Sequence, residues 1–283
     1  MEVIRAETAG FCMGVDMALN KLDRLIQENG AGLPVRTLGP IIHNPQVLAR
    51  YEAQGVFTAE TPAQVPTGAH CVIRAHGIPR DVEQALRKQG VDILDATCPR
   101  VKKAQTLIAR QCARGRTLLL YGEAEHPEVK GLLSYAGDDA VVFGSPEELD
   151  PDGLDRARPY VLAAQTTQDR EIFDALARKM KADPGLDVEV LQTICDATKL
   201  RQEEAMHIAM DVDCMVVVGG RMSGNTRRLV QVCETKGARC VHVEIPDELP
   251  LKELRSCQRI GLTAGASTPK DIIDAVEAAL QAI

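Results

Sequence analysis

Short apolar runs alternate along the chain with polar, Gly- or Pro-bearing breaks and longer amphipathic stretches. TLLLYG (117–122), YVLAAQ (160–165) and CMVVVGG (214–220) are continuously apolar rather than alternating. Such runs predict strands of parallel sheets covered on both faces. After Cys12, Val15, Ala18, Leu19, Leu22 and Ile26 follow helical spacing; after Cys98, Val101, Ala104, Ile108 and Cys112 do much the same. The segment after Cys195 has a weaker stripe. The last helix is expected to start with Thr268 as N-cap, Pro269 at the first helical position and Asp271 in the first turn. The class is therefore α/β, and 283 residues suit two or three domains.

The nine cysteines change the picture. No CxxC occurs, and nothing at the start, MEVIRAETAG, has the apolar core of an export signal. Reduced thiols and a cytoplasmic location are expected. Cys71, Cys112, Cys214, Cys233 and Cys240 fall in strand- or helix-like runs and read as small buried hydrophobes, with Cys257 less clear. Cys12, Cys98 and Cys195 instead each end an extended stretch and open a helical one. A thiol there meets the positive end of the helix dipole, which favours the thiolate. Pro99, after Cys98, suits a first helical position. Three converging thiolates fit zinc or an iron–sulfur cluster, and coincidence remains an alternative.

Polar loops supply further candidates. His43 (GPIIHNP), His76 (IRAHGIP) and His126 (GEAEHPE) each follow a strand beside Gly or Pro, while His70, His207 and His242 do not. Ligands of open α/β sheets bind outside the carboxyl ends of strands, so the three suggest one site. Glu128 shares the loop of His126; on its own, such a carboxylate would simply sit in water. RMSGNT, STPKD and Gln165–Thr167 are Ser/Thr/Asn-rich loops, the first two at helix starts that can offer N–H groups and hydroxyls to a phosphate or serve merely as caps. GxGxxG after a strand, GxxxxGK[ST], GxSxG and HExxH are all missing. A redox enzyme of this kind would take its electrons from a partner protein. The net charge of −7, the 3% aromatic content and the absence of Trp argue against nucleic acid. No apolar run approaches the ~18 residues of a membrane span.

In order, AGFCMGV, GPIIHNPQV, RAHGI, DATCPRVKK, HPEVKG, QTT, TIC-x-AT-x-x-RQ, SGNT and TAGAS cover the chain from Ala9 to Ser267. This series resembles the 4-hydroxy-3-methylbut-2-enyl diphosphate reductase (LytB) family. The resemblance implies a three-lobed, trefoil-like arrangement of small parallel-sheet α/β domains around a central iron–sulfur cluster. The lobes are expected at 13–97, 98–194 and 195–270, with strand 1–12 and helix 271–283 packed on the third. It further implies one 4Fe–4S cluster per chain, held by Cys12, Cys98 and Cys195 with one open iron that takes the substrate's C4 oxygen. His43, His76 and His126 would line the pocket and contact the diphosphate, with Ser223, Gly224, Asn225 and Ser267 completing that subsite. Thr166 would be a pocket threonine and Glu128 the carboxylate that delivers a proton. Gly224 stands where the family often has Ser, so one hydroxyl is absent, and Met13 and Met17 replace residues more usual near the first Cys.

The implied reaction is a two-electron reductive dehydroxylation giving isopentenyl or dimethylallyl diphosphate, the last step of the non-mevalonate pathway. A ferredoxin or flavodoxin would be the electron donor. Arg100, Lys102, Lys103, Arg110, Arg114 and Arg116 lie on or just past the helix after Cys98 and would dock it; an ordinary solvated helix face explains them equally well. Two other classes stay open: a zinc hydrolase with three Cys ligands, and a non-catalytic iron–sulfur carrier or sensor. Metal analysis separates the first, and the second has no use for the His and Glu loops.

Overall fold

The computed structural model describes residues 1–30 and 32–283. Among them, twelve strands form three four-stranded parallel sheets. The first holds β2 (Val35–Leu38), β3 (Val56–Ala59), β4 (His70–Ile73) and β5 (Asp92–Asp95) in the order β3-β2-β4-β5. The second holds β6 (Thr117–Tyr121), β7 (Val141–Phe143), β8 (Pro159–Ala164) and β9 (Asp187–Val190) in the order β7-β6-β8-β9. The third holds β10 (Cys214–Val218), β11 (Arg239–Val243), β12 (Arg259–Ala264) and β1 (Glu2–Arg5) in the order β11-β10-β12-β1. The parallel α/β sheets expected from the apolar runs are thus present, in the three lobes that the resemblance implied.

All three sheets share one plan. The first strand lies between the second and third, the fourth strand takes an edge, and a 3-10 turn opening with Pro precedes the third strand: Pro62–Gln64, Pro146–Glu148 and Pro246–Glu248. In the third sheet the N-terminal strand β1 fills the fourth place, pairing Glu2 with Arg259 through Arg5 with Leu262. In such sheets the chain leaves the first and third strands in opposite directions, opening a crevice at their carboxyl ends.

Strand residues alternate between two cores, as a period of two requires. In the second sheet Leu119 and Tyr121 pack with Phe173, Leu176 and Met180 of α6 (Arg170–Ala182), and Tyr121 stacks on Phe143 at 5.7 Å. Leu118 and Leu120 face Ala104 and Ile108 of α4 (Pro99–Cys112) and Val129 and Leu132 of α5 (Pro127–Leu133). In the third, Cys214, Val216 and Val218 meet Ile273, Val276 and Leu280 of α10 (Lys270–Gln281). Met215 and Val217 meet Ala205 and Ala209 of α7 (Asp196–Met210) and Leu229 and Cys233 of α8 (Gly224–Thr235). Each such large side chain contributes ~1.5–3 kcal/mol on burial.

The chain divides into two compact units: Met1–Asp16, Ile42–Tyr51 and Asp196–Ile283 in one, Met17–Ile41 and Glu52–Cys195 in the other. Residues 42–51, which sequence order puts with the first sheet, group instead with the third. Arg50 pairs with Asp271 at 2.5 Å, and Ser267 Oγ reaches His43 O at 3.4 Å. Thr268 also departs from expectation. It does not cap α10; its buried hydroxyl donates to Val218 O at 3.0 Å, and Pro269 takes the N-cap position.

Candidate active site

Each sheet delivers candidate residues from the same strands. The fourth strands β1, β5 and β9 run out towards Cys12, Cys98 and Cys195. The first and third strands lead to His43 and His76, to His126 with Glu128 and Thr166, and to Ser223 with Asn225 and Ser267.

In the unit built on the third sheet, Cys12 N–H donates to Ala266 O at 3.2 Å, and Cys12 O accepts from Asp16 N at 2.9 Å, opening α1 (Met13–Asn29). The loop before Cys12 hangs from α7. Arg201, buried, donates to Thr8 O at 3.1 and 2.6 Å and to Gly10 O at 2.8 Å; Glu204 accepts from Glu7 N at 2.7 Å and Thr8 N at 2.9 Å. These polar anchors explain the weak apolar stripe of α7, whose buried face includes Arg201 and Gln202. Gly10 adopts φ +116°, which side-chain-bearing residues avoid.

On the same unit, Ser223 caps α8, its Oγ accepting from Thr226 N at 3.3 Å, with Gly224 buried as the first helical residue. Ser267 Oγ lies 3.5 Å from Ser223 Oγ and 3.4 Å from His43 O, both at the outer limit of a hydrogen bond. Asn225 Nδ2 is buried with no hydrogen-bond partner among the described residues. A Cβ at Gly220 would stand 2.4 Å from His43 O, so only glycine lets this loop pass the His43 backbone. Asn44 Oδ1, next to His43, accepts from Val47 N at 3.0 Å and fixes the start of α2 (Pro45–Glu52). The result is a cluster of hydroxyl and amide donors that satisfy one another poorly, the arrangement an anion would complete.

In the other unit, Cys98 is the N-cap of α4 with Pro99 at its first position, and Cys98 N–H donates to Ala75 O at 2.9 Å. That anchors it one residue from His76. The His76 and His126 rings meet edge to face, centroids 5.3 Å apart at 85°. His126 caps α5, its Nδ1 accepting from Glu128 N at 3.2 Å. In the neutral imidazole this leaves the proton on Nε2.

Glu128 is 1% exposed. Its Oε1 accepts from Thr166 N at 2.6 Å and its Oε2 from Thr166 Oγ1 at 2.9 Å. Burial pushes its pKa up to about 7, against the lowering effect of the two Thr166 hydrogen bonds. Cys195 N–H donates to Thr166 O at 3.0 Å. A continuous run thus links Cys98, Ala75, His76, His126, Glu128, Thr166 and Cys195.

Among the described residues no cysteine is in a disulfide. Burial raises the Cys71 and Cys214 thiols to about 11 and also raises Cys112; Cys240 is raised by its hydrogen bond with Cys233 and by burial. These are core thiols. Cys12, Cys98 and Cys195 are instead half-buried, and each stands at a helix start.

Residues 3–281 match the family model described as LytB protein. The chain belongs to the LytB family. A LytB relative from Oleidesulfovibrio alaskensis, named 4-hydroxy-3-methylbut-2-enyl diphosphate reductase, is 57% identical with both chains fully covered. A Geobacter sulfurreducens protein of the same name is 41% identical over 98% of this chain and 95% of its own. Among solved structures, one titled (E)-4-hydroxy-3-methyl-but-2-enyl diphosphate reductase, the terminal enzyme of the non-mevalonate pathway, has TM-score 0.70 and 38% identity, with both chains fully covered. The E-1-hydroxy-2-methyl-but-2-enyl-4-diphosphate reductase from Plasmodium falciparum has TM-score 0.90 and 25% identity over 96% of this chain and 86% of that one. Within this LytB chain, sequence patterns brought out the strand-end residues but missed Arg201 and Glu204 as anchors of the Cys12 loop. The visible signals were a helix with little apolar periodicity and the Arg-Gln pair of TIC-x-AT-x-x-RQ.

Proposed function

We propose that this LytB protein is an oxidoreductase that reduces 4-hydroxy-3-methylbut-2-enyl diphosphate to isopentenyl and dimethylallyl diphosphate, the closing step of the non-mevalonate pathway. The observation that carries the reading is Glu128: a wholly buried carboxyl, poised near neutrality and bonded to the Thr166 hydroxyl, in a chain whose full-length relatives bear the reductase name. The reaction consumes two electrons and two protons, breaks the C4–oxygen bond and releases water. Hydroxide is a poor leaving group, so the departing oxygen needs a proton. Protonated Glu128 supplies it, with the Thr166 hydroxyl as relay. Ser223, Asn225, Ser267 and His43 offer donors to the diphosphate, with the backbone of Gly224 leaving room; His76 and His126 also meet the substrate.

Cys12, Cys98 and Cys195 would hold a 4Fe–4S cluster, which when bound supplies single-electron transfer and a Lewis-acidic iron. A ferredoxin or flavodoxin supplies the electrons. Among the described residues no helix is long and apolar enough to cross a membrane, and the reduced thiols suit action in the cytoplasm.

The test is anaerobic purification followed by metal, sulfide and product analysis. Roughly four iron and four sulfide per chain, with turnover driven by reduced methyl viologen, are expected. Cys12→Ser, Cys98→Ser and Cys195→Ser should each lose most of the iron, whereas Cys71→Ser, Cys233→Ser and Cys257→Ser should keep it. Zinc in place of iron, or full iron in one of the first three variants, rejects the assignment concerned.

A further inference from the structure

We infer that the outward face of α4 is the docking surface for a small acidic protein that delivers single electrons, an inference that rests on the reductase reading above. The reduction needs two electrons, and the sequence carries no strand-linked GxGxxG, the fingerprint of a bound nicotinamide or flavin dinucleotide. On a chain of net charge −7, the stretch from Pro99 to Gly122 contains no Asp or Glu at all, and it carries six cations.

Those cations are not equivalent. Lys102 pairs with Asp95 at 2.7 Å and Arg116 with Asp187 at 2.9 Å. Lys103, Arg110 and Arg114 are exposed and make no ion pair among the described residues. Lys103 and Arg110 are seven residues apart, about 20° from one another around the helix, and so share one face; Arg114 follows in the turn beyond. Val101, Ala104 and Ile108 occupy the opposite, buried side. The cationic row therefore starts about 8 Å along the axis from Cys98, the residue that opens the helix.

Exposed cations elsewhere lack this character. Arg178, Lys179 and Lys181 on α6 are also exposed, yet α6 carries Glu171 and Asp174 and is capped by Asp169. Along the helix the row carries no acid; Arg114, at its far end, shares a recess with Asp187 and Glu189, so the local potential opposite to that of the whole molecule belongs to the Lys103–Arg110 face. Such a patch steers an acidic partner, with a rate that falls as salt rises.

The deciding experiment compares two reductants on the intact holoenzyme. With an acidic bacterial ferredoxin as donor, K103E/R110E/R114E should lower kcat/KM at least tenfold and flatten its dependence on salt. K103Q/R110Q/R114Q should give a smaller loss in the same direction. With reduced methyl viologen both should turn over within twofold of the unsubstituted enzyme, and R178E/K179E/K181E should match it with either donor. Unchanged ferredoxin kinetics would overturn the docking face. So would a parallel loss with both donors, which would make α4 a purely structural element. A lack of viologen turnover in the unsubstituted holoenzyme would instead count against the reductase reading itself.

Discussion

The loops after β6 and β8 close on one another, whereas those after β10 and β12 hold their donors apart. Glu128 has both carboxyl oxygens engaged, at 2.6 and 2.9 Å, by a single residue of the neighbouring loop. The Ser223 and Ser267 hydroxyls stand 3.5 Å apart, and Asn225 Nδ2 is buried with no partner among the described residues. The two regions share a strand plan, so topology does not account for the contrast. The chemistry proposed for each does. A proton donor has to be shielded and positioned beforehand, since its pKa depends on burial. A diphosphate subsite has to leave donors unspent, because the ligand brings the acceptors.

The sharpest break of that comparison is Glu128→Gln. Gln keeps the shape and can still bond Thr166, so KM should move little while turnover falls ~100–10,000-fold. Single-turnover assays with the viologen-reduced holoenzyme check it; near-normal turnover would mean the closed loop serves folding alone. Next come Asn225→Ala and Ser267→Ala. Hydrogen bonds to a charged group are worth ~1.5–3 kcal/mol, so each should weaken diphosphate binding about 10–100-fold. Because Asn225 Nδ2 has no partner among the described residues to lose, its variant should melt close to the parent temperature. Affinity measured by calorimetry alongside a thermal melt separates the two effects, and unchanged affinity in both variants would place the diphosphate elsewhere.

The smallest effect is a shift in pH dependence. If Glu128 gives a proton, turnover should fall as pH rises through about 7. Thr166→Val removes a hydrogen bond that lowers the Glu128 pKa, so that limb should move to higher pH. Stability follows the same sign. The folded-state pKa lies above the ordinary value of 4.5, so the contribution of Glu128 to folding is full below that value and is lost as pH rises through about 7. Denaturant titrations at pH 5 and pH 8 should therefore differ less in Glu128→Gln than in the parent; an equal difference would detach Glu128 from the slope.

Much of this was legible in the residues because it is local. The continuous apolar runs at β6, β8 and β10 encode burial on both faces, and Pro99 marks a helix start whatever surrounds it. The burial of Glu128 was not legible, since it depends on Thr166, 38 residues away. Nor was the role of Arg201: a cation on a helix normally reads as solvent-facing, and only the carbonyls of Thr8 and Gly10, more than 190 residues away, turn it inward. The shared strand order was not legible either, because parallel pairing leaves no mark between neighbours in sequence. The three Pro-led turns before β4, β8 and β12 were its one local trace.

The placement of β1 sets an order of events during synthesis. This strand emerges first, yet its partner β12 begins at Arg259, so it waits for nearly the whole chain before its edge is paired. The backbone anchor of Cys12 lies later still, at Ala266. Arg201 and Glu204 can hold the loop before Cys12 once α7 has emerged, but the anchor of Cys12 itself is absent until the ribosome has passed Ala266. On the proposed function, a metal centre that needs Cys12 held in place would be completed only after translation has passed Ala266. Contacts this distant in sequence form slowly, so β1 takes its place late in folding.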